Sequence, residues 1–136
     1  MDIDKCNALK AELSSQPEPA VVEAGRFFDG NDDLGSIGCN LFDHPGVHRF
    51  REIVEGLLTR PDVDAVYAVI REIDAGEDMW PFTDTLLFVG DIPTSVLSAA
   101  LEPVQPDEVG EAPFPVVPQT LQRKHGGQRV RLAWWD

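Results

Sequence analysis

The sequence predicts an α+β domain of ferredoxin-like type: a βαββαβ order, one four-stranded antiparallel sheet, two helices on one face, and an extra N-terminal helix. Three observations predict it. Residues 46–59 place Val47, Phe50, Val54, Leu57 and Leu58 on one helical stripe, with charged residues opposite. Two β-rich runs, 63–73 and 83–89, follow one another across a turn-like segment, as the arms of an antiparallel pair do. The stretch 128–135 alternates, with Val130, Leu132 and Trp134 on one face and Arg131, Ala133 and Trp135 on the other.

Taken in order, residues 3–13 carry Ile3, Cys6, Leu9 and Leu13 at helical spacing, and the run ending in Pro17 and Pro19 stops them. Residues 20–28 read as the first strand, with Val21, Val22, Phe27 and Phe28, and Gly25 marking a bulge. A long polar loop, 29–46, leads to Pro45, which suits a first helical position because its missing N–H has no partner there. Residues 90–93 open a second core helix carrying Val96, Leu97, Ala100, Leu101 and Val104. The proline-rich, acidic stretch 105–122 reads as an irregular wrap, and 128–135 closes the sheet. The expected organisation is a single domain over 1–136, with 1–19 a helix and linker and 20–136 the α+β core.

The chain holds 24 Asp and Glu against 11 Lys and Arg, a formal net charge of −13 over 136 residues. Phosphate binding needs clustered Lys and Arg, so this balance argues against nucleic acid as the main partner and against an anionic membrane surface. The 43% apolar content is that of a folded protein, not a disordered acidic tail. No run approaches the about 18–20 apolar residues of a membrane span, and the acidic start is unlike a signal peptide. Two cysteines are too few for a disulfide framework, which suits a reduced, cytoplasmic setting.

Two groups in the 29–48 region have the chemistry of metal ligands. Asp29, Asn31 and Asp33 stand at alternate positions, as the first oxygens of a calcium loop do. The match is incomplete: Leu34 stands where the sharp-turn glycine belongs, and Asn40 where a bidentate glutamate belongs. Without a cation, the same residues make Asx turns. Cys39, His44 and His48 offer a thiol and two imidazoles, three of the four ligands of a zinc site or a Cys–His pair. The simpler reading is a packed cysteine, a histidine near a helix cap, and an exposed histidine beside Glu52.

All three tryptophans lie in two short stretches, 79–82 and 134–135. Trp80, Phe82, Trp134 and Trp135 either cover the core or form an aromatic patch for a partner. If Val130, Leu132 and Trp134 face the helices, Trp135 and Ala133 lie on the open face, which then becomes a surface for dimerisation or partner binding. A basic stretch with Arg123, Lys124, His125, Arg129 and Arg131 is best placed for internal pairing with acids at 107–111. No phosphate loop, dinucleotide fingerprint, nucleophile elbow or HExxH is present.

Several segments together carry a resemblance: Phe27-Phe28-Asp29-Gly30-Asn31-Asp32-Asp33, then Gly35-Ser36-Ile37-Gly38-Cys39-Asn40, then Trp80-Pro81-Phe82-Thr83-Asp84, and the Trp134-Trp135-Asp136 ending. Over roughly residues 20–136 the chain resembles an uncharacterised family of small acidic bacterial proteins. The resemblance implies one domain and transfers no catalytic or ligand residue. It implies that the glycine-rich loop and the Trp80-Pro81-Phe82 turn belong to one site or one structural corner.

The expected function is therefore that of a non-enzymatic cytoplasmic binding protein with no cofactor, an inhibitor or immunity-type protein for a basic protein partner. The alternative is a homodimeric small-molecule- or metal-binding domain using the loop from Asp29 to His44.

Overall fold

The computed structural model describes residues 1–113 and 116–136. The first helix, α1 (Ile3–Ser14), buries Cys6, Leu9 and Leu13, and the Asp2 carboxylate caps it by accepting the Lys5 amide at 3.1 Å. The expected strand over 20–28 divides in two: β1 is only Val21–Glu23, and α2 (Ala24–Phe28) follows. The reason is the adjacent pair Phe27 and Phe28. A strand would send the two rings to opposite faces of the sheet. A helical turn points Ala24, Phe27 and Phe28 to one side, where all three are buried and the rings meet edge-on at 5.2 Å.

Helix α3 (Val47–Leu58) buries Val47, Phe50, Val54 and Leu57 of the predicted stripe, whereas Leu58 is 39% exposed. It begins at Val47 with Gly46 as its cap residue, so Pro45 lies just outside it. Strands β2 (Ala65–Glu72) and β3 (Phe82–Val89) pair antiparallel as expected, with Tyr67 opposite Leu87. Their register shifts near Ile70, where the Thr83 hydroxyl donates to the Val69 carbonyl at 2.6 Å. Helix α4 (Thr94–Leu101) runs into a 3₁₀ turn, Glu102–Val104. The expected irregular wrap instead contains a strand, β4 (Glu108–Glu111), and, after the break in the described residues, a helix, α5 (Gln119–Lys124). Strand β5 (Val130–Trp134) completes the sheet.

The α+β class holds, but the four-stranded ferredoxin-like arrangement does not describe this chain. The described residues form one five-stranded sheet in the order β1-β2-β3-β5-β4, with every neighbouring pair antiparallel. A split βαβ unit would bring its first strand into the middle of the sheet. Here β1 is three residues long and holds an edge, and β4 supplies the other edge.

Both faces of the sheet are covered. Residues of α1 to α4 join Val66, Ala68, Leu86, Phe88, Ala133 and Trp135 in the main core. On the second face, Val117 and Leu121 pack over Val21, Tyr67, Val69, Leu87 and Val89. The alternation read in β5 is present with its faces exchanged. Trp135 and Ala133 point into the main core, while Val130 and Leu132 join the α5 side. Alternation separates two faces but does not say which one carries the larger layer.

Candidate functional site

The loop after α2 folds back on itself through its own polar side chains. Asn31 Oδ1 accepts the Asp33 amide at 2.9 Å, and its Nδ2 donates to the Ser36 hydroxyl at 2.9 Å. Asp33 Oδ1 accepts the Gly35 amide at 2.9 Å, while Oδ2 accepts the Trp80 amide at 2.9 Å. The Thr83 amide donates to the Ser36 carbonyl at 2.9 Å. Residues 31–36 and 80–83 are thus one clasped corner, the structural form of the two motifs that the sequence resemblance joins.

The clasp uses the oxygens that the cation reading names. Asn31 and Asp33 spend their oxygens on backbone amides, as Asx turns do. Asp29 holds the Lys5 ammonium at 2.8 and 2.9 Å, and this hydrogen bond keeps its carboxyl below the usual aspartate range. The zinc trio does not assemble. Cys39 is exposed and unpaired. His44 Nδ1 accepts the Gly46 amide at 2.9 Å, which puts the ring proton on Nε2 for donation to the Ile37 carbonyl at 2.8 Å. Both nitrogens are therefore engaged. His48 is 83% exposed and meets Glu52 at 2.7 Å. Among the described residues, no three His, Cys, Asp or Glu side chains converge as metal ligands.

The aromatic group does not form one exposed patch. Trp80 and Trp135 are 1% and 2% exposed. Trp135 donates its indole N–H to the Val104 carbonyl at 2.8 Å and meets the Phe50 ring at 5.5 Å, tilted by 58°. The Trp80 indole N–H is buried without a hydrogen-bond partner among the described residues. Phe82 and Trp134 are half-buried, the latter paired in register with Thr85 and Glu108. The nominated surface around Trp135 is thus interior.

Apolar surface remains on the outer side of the clasped corner, as it also does at Phe42, Leu58 and Val116. Ile3, Leu34 and Met79 are 44%, 52% and 44% exposed. Met1, Ile3 and Leu34 share a shallow depression of about 410 Å³ with Asp32, Asp33 and Asp78. The Met79 carbonyl accepts from the Cys6 thiol at 3.6 Å, one turn along α1 from Ile3. Burial pushes the Cys6 thiol up from its ordinary pKa.

Charge pairing accentuates the acidity around this corner. Lys5, Lys10, Arg26, Arg49, Arg51, Arg60, Arg71 and Arg131 each pair with a carboxylate of this chain. Among the described residues, Arg123, Lys124 and Arg129 make no ion pair, and all three lie in α5 or between it and β5. Among the described residues, Asp4, Glu77 and Asp78, which stand next to Ile3 and Met79 in the sequence, have no Lys or Arg partner.

One feature of the second face has no counterpart in the sequence reading. Asp64 can only accept, so Gln128 presents its amide N–H to that carboxylate and its Oε1 to His125. His125 Nδ1–H donates to that oxygen at 2.9 Å, and Nε2 accepts the Tyr67 hydroxyl at 2.9 Å. The four side chains form one directed hydrogen-bond chain across 58 residues of sequence separation between Tyr67 and His125. The only local signal is the His125-Gly126-Gly127-Gln128 turn, whose polar residues flank two glycines.

Comparison with known proteins adds family membership. No curated protein and no solved structure matches the chain. A family model, described as the Uncharacterized protein YfbO family, matches residues 4–128, so the chain belongs to that family.

Proposed function

We propose that this chain is a non-enzymatic cytoplasmic binding protein that docks a basic protein partner, as an inhibitor or immunity-type protein does. The observation that carries the reading is the exposed pair Ile3 and Leu34, which share one depression with Asp33, Asp78 and an Asp32 paired to the Met1 ammonium, with exposed Met79 next to Asp78 in the chain. An apolar centre with a charged rim is the usual anatomy of a protein interface. Eight of the eleven basic side chains are neutralised internally, so the field that reaches solvent is acidic. Such a field speeds encounter with a cationic surface and disfavours acidic competitors. The unpaired thiols of Cys6 and Cys39 suit a reducing compartment.

The test is capture from host lysate at low and high salt, with wild type and a Leu34→Lys, Met79→Lys double variant side by side. Wild type is expected to retain a basic protein at low salt, and the double variant to lose it. Capture of no basic protein, or identical capture by the variant, would overturn the reading.

A further inference from the structure

We propose that the cleft between α5 and β5 binds a small organic monocarboxylate with a compact apolar body. The cleft encloses about 270 Å³ on the second face of the sheet. Val117, Leu121 and Val130 give it an apolar floor. Gly126, Gly127 and Arg129 line it as well. The backbone amides of these two glycines donate to no group among the described residues, and Arg129 has no acidic partner there. Two amide N–H groups and one guanidinium are the donors that a carboxylate takes.

Charge and size narrow the ligand. Glu111 also lines the cleft, but Arg131 neutralises it at 2.6 Å. One remaining guanidinium balances a single negative charge. A dianion such as a phosphate monoester would bring a second charge into a molecule already at −13. The volume falls just below the about 300–1,000 Å³ of drug-sized sites, so the occupant is fragment-sized. The Tyr67–His125–Gln128–Asp64 chain holds the turn carrying both amides before any ligand arrives. Preorganisation of that kind lowers the ordering cost of binding.

The test is an amide chemical-shift titration with benzoate and hexanoate as probes and benzamide as the uncharged counterpart. It is run on wild type and on Arg129→Gln, an exposed position whose replacement leaves the fold intact. The expected result is saturable shifts at Gly126 and Gly127 with either carboxylate. Affinity is expected to fall at least about tenfold for benzamide and for Arg129→Gln, the scale of one charged hydrogen bond. Equal binding of benzamide, equal affinity in Arg129→Gln, or shifts that fail to saturate at these two glycines would overturn the proposal. Neither result bears on the acidic corner, which lies on separate elements.

Discussion

The Asp33 carboxylate accepts the Trp80 amide at 2.9 Å, joining a loop after α2 to the turn that enters β3. The same carboxylate accepts the Gly35 amide through its other oxygen. A charged acceptor makes hydrogen bonds worth about 1.5–3 kcal/mol where a lost partner cannot be replaced by water. Asp33→Ala is therefore expected to destabilise the protein by about 2–3 kcal/mol in urea unfolding. A loss below about 0.5 kcal/mol, the scale of an ordinary surface change, would show that the clasp does not hold the corner.

Arg131 shows how a charged residue can belong to the core face of a strand. It is 4% exposed, and its Nε donates to the Ile92 carbonyl at 2.9 Å. Its ion-pair partner Glu111 is 67% exposed. Removing the arginine leaves a buried carbonyl without its donor, whereas removing the glutamate leaves the arginine its carbonyl bond. Arg131→Met is expected to cost about 1–3 kcal/mol, and Glu111→Gln less than about 1 kcal/mol. Equal losses in thermal and urea unfolding would contradict this ordering.

Periodicity made some elements legible and hid others. The stripe in α3 is plain because it repeats its spacing over twelve residues, and the β2–β3 pair because each strand is a β-rich run of eight. Strand β4 and helix α5 span four and six residues in a proline-rich stretch, too short for any repeat to stand out. Missing them had a cost elsewhere. Without α5 on the second face, the alternation of Trp134 and Trp135 can be oriented either way, and one of the two orientations leaves Trp135 outside. The clasped corner was legible as an association of two motifs. Its chemistry was not, because Asx turns and cation loops use the same residues, and only the direction of each carboxylate separates them. The chain from Tyr67 to His125 depends on α5 being present at all.

Two glycines carry opposite expectations. At Gly90, φ is +143° and an added Cβ would lie 2.1 Å from the Asp62 carbonyl oxygen, which is backbone and cannot swing away. Gly90→Ala is expected to cost about 3 kcal/mol or more, or to prevent folding. Gly56 lies inside α3 with nothing within 4 Å of an added Cβ. Gly56→Ala removes unfolded-chain freedom and improves helix propensity, for an expected gain of about 0.5–1 kcal/mol. Melting temperatures of the two variants should move in opposite directions, and a shared direction would refute the local geometry at one of them.

Acid sensitivity should centre on two aspartates. The hydrogen bond from Lys5 holds the Asp29 carboxyl below its ordinary value of 3.8, and that from Arg60 does the same for Asp62. A carboxyl whose folded value is depressed binds fewer protons in the folded state than in the unfolded one. Its contribution to stability is therefore complete above the unfolded value and is lost as pH falls through the folded one. Carboxyl-carbon shifts followed by NMR should show both groups titrating below the ordinary aspartate value of 3.8. Lys5→Met should return Asp29 toward 3.8 while leaving Asp62 depressed, because Arg60 is its own partner. An Asp29 midpoint unmoved by Lys5→Met would mean that another group sets it. Parallel movement of Asp62 would point to a change in the overall field in place of a local bond.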